Sequence, residues 1–525
     1  MDRRTFLRRS GIAALGASLL PLIESCTRAH SSSTSVARSP APTAGGSTVA
    51  TPADWRSLAE SLDGVVYRPS STGYVVASQL FDPRFDGSHP QAVVRCTSSS
   101  DVQRSIAFAR AHEILIAPRC GGHSYGGYSS GPGIVIDVSG LSSVRLSPGS
   151  VRVGGGARLI DLSAAIGPAN VAVPGGTCPT VGIAGLTLGG GQGVIGRKFG
   201  LTCDMLTEVE MVTADGTLRR CSTRQEPDLF WASQGGGGGN FGIATAFTFR
   251  TAPIGQVVVF TLDWPWDAAA EVVDGWQRSG PAAPDELWSD CHLVYRSGGG
   301  PTVSVNGVFV GEAADLSPHL TALTRVIGSD PSATYVTPMT YASAMLFEAG
   351  CTGLTTAQCH LPSQDPAGTL TRESNIVTSD FYDTAVPSDG VQAMVDAVGA
   401  RADDAALRRS TGGILLDAFG GAINRVPADA TAFVHRSSRF LAQGFATLPT
   451  GTDSTVMADN ERWLRAFWRS MRPWASGYAY QNYIDPNLRD WQHAYYGTNL
   501  PRLVEVKTAY DPDDVFHFAQ SIPTS

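Results

Sequence analysis

Three glycine-rich runs in the first half of the chain limit what it can fold into. The first is Ala117-Pro118-Arg119-Cys120-Gly121-Gly122-His123-Ser124-Tyr125-Gly126-Gly127. The second is Val173-Pro174-Gly175-Gly176-Thr177-Cys178-Pro179-Thr180-Val181-Gly182, running on through Gly185 to Gly189-Gly190-Gly191 and Gly193. The third covers residues 235–239 and continues as Asn240-Phe241-Gly242-Ile243. Glycine has no Cβ, so its N–H approaches a phosphate oxygen or another backbone closely. One such run is as readily a tight turn; three in one stretch favour loops that converge on a ligand. Two of the runs also present a nucleophile, His123 and Cys178. A thiol with an ordinary pKa of about 8.5 needs only a modest shift to react as thiolate. The pattern suggests a flat, phosphate-bearing cofactor gripped from two loops, with covalent attachment open to both.

The surrounding periodicity places these runs. Residues 54–62 read as a short helix. Residues 92–95 read as a strand, Ser100 as a cap, 101–112 as a helix and 114–116 as a second strand. No glycine fingerprint joins that first strand to its helix, which weighs against a Rossmann dinucleotide fold. Residues 133–138 and 144–153 read as a strand pair and 159–166 as a helix. Residues 209–212 and 216–218 flank Ala214-Asp215, whose Asp-Gly step suits a tight hairpin. Near residue 256 the character changes. Residues 257–262, 293–295, 303–310 and 436–446 read as strands; 268–277, 316–327 and the Trp- and Arg-bearing 459–471 read as helices. The expectation is an α+β fold whose second half is an antiparallel sheet flanked by helices. No repeat of solenoid period is present.

The chain's 525 residues, 42% hydrophobic and 16% charged, are enough for two or three packed domains. A net charge of -8 argues against nucleic acid as a partner. Asp2-Arg3-Arg4-Thr5-Phe6-Leu7-Arg8 followed by the apolar residues 11–23 reads as a twin-arginine export signal. That apolar stretch is too short for a stable membrane span. The expected partner is therefore the twin-arginine export machinery, and the expected location secreted or cell-envelope. Cys26 ends the apolar run, but Glu24-Ser25 makes a poor lipidation site. Residues 27–50, rich in Ser, Thr, Pro, Ala and Gly, read as a tether. Nine cysteines do not make a disulfide scaffold at this length. Cys351 and Cys359 are close enough to close a small loop, and most others read as buried thiols. Histidines and carboxylates lack metal-ligand spacing, so no metal is expected.

Arg119-x-Gly121-Gly122-His123-Ser124, Gly175-Gly176-x-Cys178-Pro179-Thr180-Val181-Gly182 and Tyr480-x-Asn482-Tyr483 together resemble the berberine-bridge-enzyme-like branch of the vanillyl-alcohol-oxidase flavoprotein superfamily. Trp491-x-x-x-Tyr495-Tyr496-Gly497 and Gln520-Ser521-Ile522-Pro523 extend the resemblance to the end of the chain. The signal is placed at residues 1–30 and the linker with its short helix at 31–75; the resemblance implies a PCMH-type two-subdomain FAD-binding domain over 76–255. A substrate domain over 256–475 and a C-terminal segment over 476–525, returning to the FAD domain, complete it. It implies FAD bonded to His123 at the flavin 8α-methyl and to Cys178 at C6. The implied cradle is Arg119, Gly121, Gly122, Ser124, Tyr125, Thr180, Val181, Gly182, Gly185, Gly189, Gly190, Gly193, Asn240, Gly242, Ile243, Asn482 and Tyr483. Two bonds would retain the flavin outside the cell, raise its potential and allow a wide pocket.

The resemblance also makes Tyr480 the base for a substrate hydroxyl in hydride transfer to flavin N5. Asp417, ahead of Phe419-Gly420-Gly421, is the carboxylate that assists it. An ordinary tyrosine, with a pKa of about 10, is only about 0.1% phenolate at neutral pH, so help is needed. Valine at 181, three residues after Cys178, goes with oxidase behaviour in relatives; His435-Arg436 is assigned a structural role. The implied function is an FAD oxidase of a hydroxyl carbon in a sugar, glycoside or secondary metabolite, with oxygen reduced to hydrogen peroxide. The alternatives are a dehydrogenase using a quinone-like acceptor, or a non-catalytic exported carbohydrate-binding protein on the same scaffold.

Overall fold

The first strand–helix–strand unit forms where the periodicity marks it, with its boundaries moved. The computed structural model describes residues 49–525. The twin-arginine signal, Cys26 and the tether up to residue 48 lie outside the described residues. After helix α1 (Pro52–Ser61), strand β1 (Val65–Tyr67) pairs antiparallel with β2 (Ala92–Arg95). Helix α2 (Ser99–Ala111) is capped by Ser98, not Ser100. Ser98 Oγ accepts the Asp101 N–H, and the Asp101 carboxylate accepts the Ser98 N–H, which satisfies two free donors at once. The second strand, β3, is Ile116–Arg119 rather than 114–116. The Ile114 N–H still closes the helix end on Ala109 O, and Leu115 is 57% exposed. As a result the His123 loop leaves directly from the strand's last residue. β4 (Ile134–Asp137) inserts between β2 and β3 and runs parallel to both.

Residues 133–138 do not pair with 144–153. β4 belongs to the first sheet, whereas β5 (Val144–Ser147) and β6 (Ser150–Gly154) form their own hairpin. Gly149 turns it with a φ of 75°, a left-handed conformation that favours glycine. Helix α3 (Leu159–Ile166) follows, then β7 (Val171–Ala172) and helix α4 (Ile183–Leu188). β8 (Leu206–Val212) and β9 (Leu218–Cys221) close over the Asp215-Gly216 turn. With β10 (Ile243–Arg250) they give a second sheet of order β5-β6-β10-β8-β9. β11 (Ala252–Pro253) pairs with β7.

From residue 256 a seven-stranded antiparallel sheet takes over. Its strands are β12 (Gln256–Trp264), β13 (Leu287–Tyr295), β14 (Pro301–Phe309), β15 (Ala333–Thr340), β16 (Ser374–Tyr382), β17 (Thr411–Ala418) and β18 (Phe440–Leu448), in the order β15-β12-β14-β13-β17-β18-β16. β18 starts later than residue 436 because the Arg436 N–H is turned back onto Val434 O rather than toward a neighbouring strand. Strand side chains alternate faces. Leu287, Cys291, Leu293 and Tyr295 of β13, with Ile414 and Leu416 of β17, pack with Val272, Val273 and Trp276 of α5 (Ala269–Ser279). α6 (Ala313–Ile327), α8 (Ser388–Gly399) and α9 (Ser454–Met471) add Leu316, Met394 and Phe467 to that core. α7 (Tyr341–Glu348) lies between β15 and β16 in the chain. The intervening positions, Trp288, Asp290 and His292 on β13 and Leu415 and Asp417 on β17, face a cavity on the sheet's other side.

The C-terminal segment returns to the first half. Leu503 and Val506 of α10 (Leu500–Tyr510) are buried with Trp231, Phe247 and Phe249. The fully buried Lys507 Nζ donates to Asn240 O (3.0 Å), Phe516 O (2.8 Å) and Asp511 Oδ2 (2.5 Å). This ties the third glycine run to the chain end. Cys351 and Cys359 form a disulfide, and Cys96, Cys203, Cys221 and Cys291 are buried free thiols. Among the described residues no helix is long and apolar enough to cross a membrane. Lys507→Met strands the Asp511 carboxylate in the interior. Loss of one partner of a buried pair costs about 3–5 kcal/mol, so the variant is expected to unfold at a clearly lower temperature than wild type in a thermal melt.

Candidate active site

The two nucleophile loops dock backbone to backbone. A Cβ on Gly121 would overlap the Gly182 nitrogen, and a Cβ on Gly182 would overlap Cys120 Sγ. That contact places His123 and Cys178 on the wall of one cavity of about 410 Å³. His123 Nε2 lies 2.8 Å from Thr180 Oγ1, and the ring stacks on Phe81 at 4.0 Å. Burial, reinforced by the Arg158 guanidinium, pushes its pKa down to about 3. The imidazole is therefore neutral. In the tautomer whose Nε2–H donates to Thr180 Oγ1, Nδ1 keeps the lone pair that a nucleophile requires. Cys178 is exposed at the end of its loop.

Most of the expected cradle reaches this cavity. Arg119, Gly121, Gly122, Ser124, Tyr125, Val181, Gly182, Gly185, Gly193, Asn240, Gly242, Ile243, Asn482 and Tyr483 all line it, as do Tyr480 and Asp417. Thr180 does not; it acts behind His123. Gly189 and Gly190 also fall outside the lining. A Cβ on Gly189 would overlap the Asn482 amide, and one on Gly190 would sit 2.7 Å from the Phe433 ring. These two glycines make room for protein groups rather than for a ligand. Arg119 lines the wall, with Nε and Nη2 of its guanidinium committed to Asp137 (3.1 and 2.9 Å) and Nη2 also to Ala77 O (2.5 Å), while Nη1 has no hydrogen-bond partner among the described residues. Asn240 is likewise a clamp, accepting the Ile522 N–H at 2.9 Å. Gly185 faces open space, since an added Cβ there would meet nothing within 4 Å, and the backbone of residues 237–239 also lines the cavity. A wall of glycine backbone with two nucleophiles suits a flat, phosphate-bearing group.

The same cavity is also lined by ionisable groups. Tyr480 Oη accepts N–H bonds from Gly191 (3.0 Å), Gln192 (3.3 Å) and Asn482 Nδ2 (3.0 Å). Three donors favour the phenolate. Burial to 2% exposure opposes them and prevails, raising the pKa to about 12. Asp417 is pushed up to about 7, first by burial and then by Asp290, while His292 and the Gln192 amide pull the other way. His292 Nε2 lies 2.8 Å from Asp290 Oδ2, and Asn306 Nδ2 donates to Asp290 Oδ1 at 2.9 Å. Gln192 touches both phenols, giving its N–H to Tyr480 and lying 3.5 Å from Tyr483 Oη through Nε2. Trp288, Glu348 and Gln443 complete this part of the lining.

The motifs do not mark Gln192, Trp288, Asp290, His292, Glu348 or Gln443. The signal for two of them, Asp290 and His292, is polar residues at period two in a buried strand, legible only once β13 is known to start at Leu287 rather than 293. His435 lies outside the cavity lining, stacked on Phe381 at 4.2 Å. Arg436 grips Asp204 through two bonds (2.7 and 2.9 Å), a structural ion pair. Among the described residues no group of three or more side chains is arranged to hold a metal.

Comparison with known proteins gives the same outline. A family model described as FAD binding domain matches residues 90–222, and one described as berberine and berberine like matches residues 479–523. An uncharacterised FAD-linked oxidoreductase, YgaK of Bacillus subtilis, is 32% identical over 83% of this chain and 91% of its own length. The solved structure of wild-type BBE-like 1 from Physcomitrella patens superposes with a TM-score of 0.80 at 28% identity, covering 90% of this chain and 99% of that one. The grass pollen allergen Phl p 4, whose structure is described as having glucose dehydrogenase activity, gives 0.76 at 25% identity over 87% of this chain and 96% of its own.

The Asp417 shift has a consequence for stability. Its folded pKa of about 7 stands above the unfolded value of about 3.9. The folded chain therefore holds this proton more tightly. The resulting stability is complete below about pH 4 and is lost as pH rises through 7. Asp417→Asn carries no such loss, so thermal melts are expected to show it gaining on wild type at pH 8 but not at pH 4.

Proposed function

The chain belongs to the berberine-bridge-enzyme-like family of FAD-linked oxidoreductases, and on that footing we propose that it is an exported oxidase carrying bicovalent FAD and acting on a hydroxyl carbon of a sugar or related polyol. The observation that carries this reading is the convergence of His123, Cys178, Tyr480 and Asp417 on one cavity. His123 and Cys178 would hold the flavin, with the backbone at Gly185 and residues 237–239 along its length. When bound, the flavin takes the two electrons and the hydrogen from the carbinol carbon and passes the electrons to oxygen.

The chain's own residues handle the proton. Tyr480 Oη accepts the substrate hydroxyl proton in its phenolate form, which the N–H groups of Gly191, Gln192 and Asn482 stabilise. Asp417 titrates near neutrality, so it both gives and takes a proton at working pH. Trp288 offers a flat apolar face, and Asp290, His292 and Gln443 offer hydrogen-bonding groups beside it. That combination suits a sugar ring, and a relative with glucose dehydrogenase activity supports the same substrate class. Val181, lining the cavity, supports oxygen over a quinone-like acceptor. Export by the twin-arginine route rests on residues 2–8 of the sequence.

Acid denaturation of the purified holoprotein is expected to leave the yellow colour on the polypeptide. The His123→Ala, Cys178→Ala double variant should release it. Free FAD from wild type would overturn the double linkage. A panel of sugars and alcohols should bleach the flavin anaerobically and release peroxide in air; slow reoxidation by air would favour the dehydrogenase instead. Tyr480→Phe should lower turnover by about 10²–10⁴-fold, read by stopped-flow bleaching.

A further inference from the structure

Asp290 and Asp417 are directly opposed in the antiparallel pairing of β13 with β17. Opposed residues project from the same face with Cβ atoms about 5 Å apart. Both side chains face the cavity, and both are more than nine-tenths buried, at 7% and 8% exposure. Two carboxylates so placed cannot both ionise without mutual repulsion. The protein resolves the conflict unevenly. Asp290 has a dedicated set of partners: His292 on one oxygen and the Asn306 amide on the other. Asp417 has the Gln192 amide and a second phenol, Tyr483, near it. Gln443 of β18 and Glu348 at the end of α7 face the same space. The cation Arg197, next to the end of β17, is spent on the carbonyls of Pro281, Ala283, Leu287 and Phe419. Across the strand pair the charge that bears on Asp417 is that of Asp290, with His292 as its counterweight.

We infer that Asp290, clamped by His292 and Asn306, is a positioning residue that makes Asp417 a stronger proton acceptor for the Gln192–Tyr480 group. The inference rests on the function proposed above for its catalytic meaning, but not for its physical content. Without the like charge of Asp290, Asp417 would hold a proton less tightly, with burial alone to raise its affinity; beside it, Asp417 takes up the Tyr480 proton more readily as the phenolate forms under the three N–H donors. The Asp290–His292 pair thus acts on the base through Asp417 and need not touch the substrate hydroxyl.

The test is an infrared titration of the resting holoprotein. The C=O stretch of protonated Asp417 is the carboxyl band that disappears in Asp417→Asn. This also separates it from Asp380, another buried carboxyl raised to about 7. In Asp290→Asn the midpoint of the Asp417 band should fall by about one pH unit or more. In His292→Gln it should rise, because the counterweight to Asp290 is gone. The acid limb of kcat/KM should move with the band in each variant. A midpoint unmoved in Asp290→Asn overturns the inference; if that variant does not fold, an unmoved midpoint in His292→Gln does so alone. A band that shifts in a protein that oxidises nothing in the panel would sink the proposed function and leave the proton control standing.

Discussion

The contact between the Gly121 backbone and Gly182 is the constraint on which the site depends. Neither position has room for a Cβ, because each is filled by the other loop or by Cys120. With the backbones that close, His123 and Cys178 share a cavity although they lie far apart in the chain. Thr180 then fixes the imidazole from behind, and burial with Arg158 keeps it neutral. The C-terminal segment closes the third side: Asn240 is held by the Ile522 N–H and by Lys507, and the Tyr-x-Asn-Tyr run descends onto Gly189–Gln192.

The reaction end shows burial competing with directed hydrogen bonds. At Tyr480 three N–H donors favour the anion and desolvation disfavours it; desolvation wins in the resting protein. At Asp417 desolvation and a like charge act together, and only an amide and an imidazole oppose them. Both groups are thus held in protonated or readily protonated forms, in a chamber where a small change in solvation moves charge. Gln192 meets both phenols, which makes the loop that seats the base also the loop that senses the carboxylate.

Elements governed by local chemistry were the legible ones. Helix 159–166 shows its apolar face in the sequence, and the Asp215-Gly216 step announces its hairpin. Where two signals compete, position shifts. Ser98 and Ser100 both suit a cap, and the reciprocal bond to Asp101 selects Ser98. β4 pairs with β2 and β3, not with the hairpin that follows it, because sheet partnership is a long-range choice. In the site, motif residues declared themselves, whereas Trp288, Asp290 and His292 did not. The polarity of Asp290 and His292 makes β13 look discontinuous until its apolar alternate positions are seen packed on α5 and its neighbours. The glycines misled in one respect: Gly189 and Gly190 carry the same sequence signature as Gly185 but yield space to Asn482 and Phe433.

The central physical claim is that one ring system is gripped by an imidazole and a sulfur from two docked loops. Proteolysis of the denatured holoprotein followed by mass spectrometry tests it directly. The result expected is a single flavin-bearing species in which the peptide containing His123 and the peptide containing Cys178 are joined through one FAD. Flavin on only one of the two peptides, or on neither, would contradict it.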